Sequence, residues 1–90
     1  MNTLLEMKVL VSGRVQEVGF RATTQHHADR MHIKGFVKNL PDGRVEICAQ
    51  GTREQLENLI ARLSQEFNSA VFEKSYVPIE KRFSEFKILH

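Results

Sequence analysis

The spacing of hydrophobic residues changes several times along the chain, and each change marks a new element. Apolar and polar residues alternate from Leu4 to Ser12, which predicts a first strand with Met7, Val9 and Val11 on one face. From about Phe20 to His32 the apolar residues recur every three or four positions instead. That spacing predicts a helix directly after a short loop.

The next segment has the pattern of a β-hairpin. Phe36–Asn39 and Arg44–Gln50 are both typical of strands, and Val45 and Ile47 lie on the predicted buried side of the second. The residues between them are Leu40-Pro41-Asp42-Gly43, where proline presets φ and Asp-Gly tolerates positive φ. A tight turn is therefore expected at this point.

A second helix is predicted to open at Gly51-Thr52. Thr52 and Gln55 have the spacing of a capping box, in which each side chain bonds a free backbone amide near the other residue. One apolar stripe follows at helical spacing: Leu56, Leu59, Ile60, Leu63 and Phe67. Two further strands are then expected, from Ala70 to Pro78 and from Phe83 to Leu89, with Phe86 and Ile88 of the last strand facing inward.

The order of elements is β-α-β-β-α-β with a short terminal strand. It predicts an α+β fold of the ferredoxin-like, split-βαβ kind, an antiparallel sheet with two helices on one face. No linker or repeat divides the sequence, so one domain spanning residues 1–90 is expected.

Composition narrows the classes of protein. Hydrophobic residues make up 41% and charged residues 27%, values typical of globular domains, and no apolar run approaches the ~20 residues of a bilayer span. The net charge of +2 is too weak to indicate nucleic acid as a partner. The single cysteine, Cys48, has no partner for an internal disulfide, and the first residues lack the pattern of a signal peptide. A monomeric cytoplasmic protein is expected.

The loop from Gly13 to Phe20 is the first candidate site, with Arg21 where the first helix begins. It joins a strand to a helix, and a helix start presents several backbone N–H groups without internal partners. Those donors, the helix dipole and the Arg21 guanidinium could together bind a phosphate-sized anion. The alternative is a plain strand-to-helix turn with solvated arginines. A Walker A loop is absent from the sequence.

Asn39 is the second candidate, at the end of the strand that enters the hairpin. Its carboxamide could hold and aim a water molecule. The alternative is a structural role, with Asn39 capping the turn at Asp42-Gly43.

Other catalytic patterns are missing. No Ser-His-Asp or Cys-His arrangement has motif support, and no metal or cofactor is expected. His26 and His27 are adjacent, so on a helix they point about 100° apart and do not share a ligand face. Cys48 alternates away from Ile47 and is expected on the open face of the sheet.

Two separated segments resemble the signature motifs of acylphosphatases. The first is Gly13-Arg14-Val15-Gln16-x-Val18-Gly19-Phe20-Arg21. The second is Gly35-Phe36-Val37-Lys38-Asn39, followed by Asp42-Gly43-x-Val45-Glu46. The resemblance implies an enzyme that hydrolyses the carboxyl–phosphate bond of acyl phosphates without metal or cofactor.

The resemblance also implies a role for each matching residue. Arg21 corresponds to the phosphate-binding arginine of the family, and Asn39 to the asparagine that orients the attacking water. The backbone amides of one continuous loop would form the phosphate cradle: those of Val15, Gln16, Glu17, Val18, Gly19 and Phe20.

Glu17 departs from the family pattern, which usually has glycine there. If the loop needs positive φ at this position, a side chain costs on the order of 1 kcal/mol. A carboxylate about 6 Å from a phosphate would also repel it by roughly 3 kcal/mol at an effective dielectric of about 20, and by less if it points to water.

Two other functions therefore stay open. One is a phosphate- or acyl-phosphate-binding module in which Glu17 has weakened turnover. The other is an RNA-binding module of the same fold, which needs exposed aromatic residues on the central strands. The first and third strands offer none.

Overall fold

A computed structural model gives the structure of residues 3–90. Met1 and Asn2, which the predicted domain of residues 1–90 includes, lie outside the described residues. Seven elements follow one another in the predicted order. They are β1 (Leu4–Ser12), α1 (Phe20–Arg30), β2 (Lys34–Asn39), β3 (Val45–Thr52), α2 (Arg53–Glu66), β4 (Val71–Val77) and β5 (Phe86–Leu89).

The five strands form one sheet in the order β4-β1-β3-β2-β5. The α+β, ferredoxin-like prediction is confirmed, with one correction to the strand directions. β1 pairs antiparallel with β3 and β4, and β2 pairs antiparallel with β3, but β5 runs parallel to β2. The chain leaves β4 at one edge and turns back along the opposite edge, so β5 runs antiparallel to β4 and therefore parallel to β2.

Several predicted boundaries differ from the structure by one or more residues, and two of the differences have a clear physical reason. Helix α1 ends at Arg30 rather than His32, because His32 takes the left-handed conformation (φ 60°) and the amide of Ile33 donates back to the Ala28 carbonyl. This turn delivers Ile33 into the core. The last strand begins at Phe86 rather than Phe83, since Phe83 leaves the ladder to pack against another part of the sheet.

The core lies between the sheet and the two helices. It combines the inward faces of β1 and β3 with the predicted stripe of α2, of which Leu56, Leu59 and Leu63 are fully buried. Phe20 packs edge-on against Phe67, with 4.9 Å between ring centroids. This contact fixes the start of α1 against the end of α2. No helix within residues 3–90 is long and apolar enough to cross a membrane.

The connection between β4 and β5, residues 78–85, passes over the other face of the sheet. Gln50 ties it down, because its amide nitrogen donates to the Lys81 carbonyl (2.7 Å) and to the Glu6 carboxylate (2.8 Å). The Gln50 carbonyl oxygen accepts from the Phe83 amide at 3.0 Å.

Cys48 has its predicted place on this second face, yet it is buried rather than open. Burial, together with the nearby Glu6 carboxylate, raises the pKa of the thiol to about 12. Cys48 is therefore an inert thiol at neutral pH.

Candidate active site

Several chain segments converge at one end of the sheet, here termed the upper end. β1, β2 and β5 finish there, and β3 and β4 begin there. The loop 13–19 leaves β1 at this end, and the turn 40–44 joins β2 to β3 beside it. The topology thus brings the two sequence motifs together, although they are separated along the chain.

The loop starts with a tight turn at Gly13, which has φ of 111°. A Cβ there would lie 3.3 Å from the Ala70 backbone, so the position favours glycine. The Val15 amide donates to the Gly13 carbonyl at 2.9 Å, and the Val15 side chain is buried. Val15 therefore anchors the loop in the core, and its amide is already engaged. Of the amides expected to form the cradle, from Val15 to Phe20, those without a partner thus begin at Gln16.

The amides further along the loop remain open. Gly19 is the N-cap of α1 in the left-handed conformation (φ 80°), and it has no side chain to cap the helix. Its carbonyl accepts from Thr23. Among residues 3–90, no hydrogen bond engages the backbone amides of Gln16 through Ala22. They form a set of donors of the kind that binds anions at helix starts.

Glu17 adopts positive φ (65°) in the middle of this loop. The position is thus one that a glycine would occupy without strain, as the departure from the family pattern suggested. The side chain is exposed. Its carboxylate nevertheless borders the same depression as Arg21.

Gln16 clamps the loop to the hairpin. Its amide nitrogen donates to the carbonyls of Leu40 (2.9 Å) and Arg44 (3.0 Å). The turn that offers these acceptors is itself braced, because Asp42 accepts from the backbone and the side chain of Arg44. These bonds hold the pKa of the Asp42 carboxyl below its usual value. Gln16 therefore positions the cradle relative to the end of β2.

Asn39 lies at the end of β2, on the same face as the buried Val37. Within the described part of the chain, its Oδ1 is the one buried side-chain oxygen or nitrogen that has no hydrogen-bond partner. The turn is closed instead by the Leu40 amide on Arg44, the Gly43 amide on Leu40, and Asp42. The Asn39 oxygen thus does not cap the turn, and a buried acceptor without a partner is unusual in a folded protein.

Arg21 is in the first turn of α1, and the end of β5 holds its side chain. Its Nη1 donates to the Leu89 carbonyl (3.4 Å) and lies 3.2 Å from Nδ1 of His90. No other hydrogen bond or ion pair engages the guanidinium within residues 3–90, so Nε and Nη2 are available. That free edge is the one that can bind two oxygens of a phosphate.

A shallow depression of about 230 Å³ lies between the loop, the start of α1 and the end of β5. Glu17, Arg21 and His90 supply its charged and polar rim, and Val15 and Phe20 contribute apolar surface. Asn39 does not line it. It lies next to it, because Lys38 is opposite Leu89 and the following residues of both strands, Asn39 and His90, emerge at the same end.

His90 is the site residue that the motifs did not reveal. No spacing in the sequence links it to Arg21, which lies 69 positions away. Only the parallel pairing of β2 with β5 brings the two together. A prediction of strand pairing for the last strand could have found it.

Comparisons with known proteins agree with this architecture. A family profile described as Acylphosphatase matches residues 7–88. An acylphosphatase from Acaryochloris marina is 40% identical over 91 residues, which cover 99% of this chain and 98% of the relative. The crystal structure of an acylphosphatase from Bacillus subtilis superposes with a TM-score of 0.86 at 30% identity, covering 96% of this chain and 99% of that one. The acylphosphatase structure from Coxiella burnetii gives 0.80 at 31% identity, covering 98% and 94%.

The fold and these matches define a small hydrolase of the ferredoxin-like α+β class. The chain belongs to the acylphosphatase family, which confirms the resemblance of its two motifs. It is accordingly an enzyme that hydrolyses acyl phosphates.

Proposed function

We propose that the hydrolysis takes place at the upper end of the sheet, with the phosphate held by Arg21 and the loop amides and the water oriented by Asn39. The observation that carries this proposal is the convergence of unpaired polar groups. Three such groups lie at the upper end of the sheet. They are the uncapped start of α1, the Nε–Nη2 edge of the Arg21 guanidinium, and the buried Asn39 oxygen. In a stable fold a buried polar atom such as the Asn39 oxygen is normally paired, so its grouping with the free donors of the loop and of Arg21 is typical of a binding site.

The phosphate would lie over the amides of Gln16 to Phe20, at the positive end of the α1 dipole. The Nε–Nη2 edge of Arg21 would bind two of its oxygens. These donors are held by the fold before substrate arrives, through Gln16 on the hairpin and Nη1 on β5. Groups fixed in advance stabilise the charge of a phosphoryl-transfer transition state without reorganising.

Asn39 would accept a hydrogen bond from the attacking water through its Oδ1. The water oxygen forms a bond to phosphorus as the bond between phosphorus and the acyl oxygen breaks. The carboxylate leaves as an anion, and the water proton passes to a phosphate oxygen. Because a carboxylate is a good leaving group, this scheme requires no general acid, and positioning supplies most of the acceleration.

The scheme uses no metal or cofactor. Within residues 3–90, His, Cys, Asp and Glu side chains form no group of three or more that could hold a metal ion. The test is the hydrolysis of a synthetic acyl phosphate by the purified chain, with and without a chelator. We expect equal rates in both conditions. A rate that falls with chelator and returns with added divalent cation would contradict the scheme.

A second candidate is a binding module with weakened turnover. The observation that favours it is Glu17, whose strained backbone and carboxylate border the depression beside Arg21. Titrating the protein with inorganic phosphate and measuring its hydrolysis of an acyl phosphate distinguishes the enzyme from the binding module. Tight phosphate binding with turnover no faster than the uncatalysed rate would favour the module.

We further infer that the chain forms one domain and is a monomer in the cytoplasm. The edge strand β4 carries the exposed charged residues Glu73 and Lys74, which discourage edge-to-edge pairing. The free, buried Cys48 is compatible with a reducing compartment. Sedimentation equilibrium tests the first inference, and fractionation of cells tests the second.

A further inference from the structure

We propose that His90 is a positioning residue for Arg21, and that its neutral imidazole holds the guanidinium in the orientation that binds phosphate. The inference deepens the proposed function and rests on it. His90 belongs to neither sequence motif, so the resemblance to the family assigns it no role.

The contact itself is the first step. His90 Nδ1 lies 3.2 Å from Nη1 of Arg21, and Nη1 also donates to the Leu89 carbonyl at 3.4 Å. Arginine has donors only, so Nδ1 must act as the acceptor and the imidazole proton must be on Nε2. Two acceptors on one guanidinium nitrogen fix the rotation of the group. They leave its other edge, Nε and Nη2, without a partner within residues 3–90.

The placement of His90 is the second step. The side chains of Phe86, Ile88 and His90 alternate on one face of the β5 segment, and Phe86 is buried in the core. His90 therefore emerges on the helix side of the sheet, where α1 begins. Asn39 emerges on the same side at the end of the neighbouring strand. The imidazole thus contacts the proposed phosphate ligand and lies at the same end of the sheet as the proposed water ligand.

The charge state of the imidazole is the third step. A protonated imidazole has no acceptor and repels the guanidinium, and histidine is the side chain that ordinarily changes charge between about pH 5 and 8. Within residues 3–90, two charged residues line the depression together with His90: Arg21 from α1 and Glu17 from the loop. β2 presents the neutral Asn39 on this side, since Lys38 points to the other face and pairs with Glu46. A protonated imidazole would therefore release Arg21 from His90.

Three variants test the proposal. His90→Ala removes the acceptor, and His90→Asn can keep an acceptor near the position of Nδ1 without a titrating ring. Gln25→Ala is the matched control, because Gln25 also donates from α1 to a β5 carbonyl, that of Phe86 at 3.1 Å, but does not touch Arg21. At about pH 8 we expect KM for the acyl phosphate to rise about fivefold in His90→Ala and less than about twofold in the other two.

The pH profile separates positioning from mere packing. Between about pH 8 and pH 5.5, KM of the wild type should rise more steeply than KM of His90→Asn. Protonation of the substrate affects both proteins equally, so the difference reports on residue 90. An unchanged KM in His90→Ala overturns the proposal. So does a profile of His90→Asn that parallels the wild type, or an equal loss in Gln25→Ala.

A measurement without turnover keeps this proposal separate from the proposed function. The imidazole nitrogen resonances of His90 are compared in the wild type and in Arg21→Met at about pH 8. A shift of Nδ1 in the variant supports the contact, and identical spectra overturn it. If the contact is present but the wild type neither hydrolyses acyl phosphate nor binds inorganic phosphate, the proposed function fails and the His90–Arg21 contact does not.

Discussion

The two helices of this fold begin in opposite ways. At the start of α2, Thr52 accepts from the Gln55 amide and the Gln55 side chain accepts from the Thr52 amide. At the start of α1, Gly19 offers no side chain, and the amides of the first turn have no partner within residues 3–90. A capping box stabilises a helix by using up its free donors. The uncapped start therefore keeps available the donors that an anion needs.

The two carboxamides on neighbouring strands show the same contrast. Gln50 of β3, at the lower end of the sheet, makes three hydrogen bonds through its side chain. Asn39 of β2, at the upper end, leaves a buried oxygen unpaired. The carboxamide at the lower end is thus fully hydrogen-bonded within the protein, whereas the carboxamide oxygen at the upper end is free to bind another group. The difference separates a part of the molecule that maintains the fold from the part where we propose that substrate binds.

The strongest test of this contrast between the two ends is to remove the positive charge of Arg21 at the upper end. Arg21→Ala should lower kcat/KM for an acyl phosphate about 100- to 1000-fold, because the variant loses the charged donors for the phosphate oxygens. Arg21→Lys should recover only part of the activity, since an ammonium lacks the planar fork. Arg30→Ala, at the exposed far end of α1, is the control and should be silent. Activity in Arg21→Ala close to the wild type would refute the assigned role.

Asn39→Ala should have the next largest effect. We expect kcat to fall roughly tenfold to 100-fold through the loss of water orientation. The free energy of unfolding should change by less than about 0.5 kcal/mol, because the lost oxygen has no protein partner. Steady-state kinetics and urea denaturation measure the two quantities. A variant that is unstable yet fully active would restore the structural role at the hairpin turn.

The capped end should respond in the reverse sense. Thr52→Ala should cost about 1 kcal/mol of stability through the lost cap and leave kcat/KM unchanged. Thr52→Ser preserves the hydroxyl and serves as the control. Thermal unfolding followed by circular dichroism gives the stability difference. If activity fell in Thr52→Ala while the protein stayed folded, the functional division between the two helix starts would be wrong.

The smallest expected effect belongs to Glu17, an acidic residue with positive φ at a site that we propose binds an anion. Glu17→Gly should lower KM about threefold, because it removes the carboxylate and relieves the backbone strain at positive φ. Glu17→Gln removes the charge but keeps the strain, so the pair separates the two causes. A neutral or harmful result in Glu17→Gly would mean that the loop is adapted to glutamate.

Much of the fold was predictable because its signals are local. The alternation in β1, the Asp-Gly turn and the Thr52–Gln55 box each depend on residues only a few positions apart. The need for positive φ at Glu17 could also be anticipated, and the structure confirms it. The roles of Arg21 and Asn39 came from the motifs and stay proposals until the variants are measured.

What escaped prediction depends on long-range pairing. The parallel direction of β5, and with it the contact of His90 with Arg21, follow from how the chain crosses the sheet between β4 and β5. Periodicity within the strand carries no information on its partner. The burial of Cys48, on a face predicted to be open, likewise depends on the fold as a whole.

The pairing of β2 with β5 also bears on the order in which the protein assembles. Its partners Gly35 and Phe86 are about fifty positions apart in sequence, so closing this contact carries a larger entropic cost than forming the β2–β3 hairpin. Since Leu89 and His90 arrive only with β5, the guanidinium of Arg21 gains its supports when that last edge docks. A chain in which β5 has not yet docked would therefore hold Arg21 without the two acceptors that fix its guanidinium.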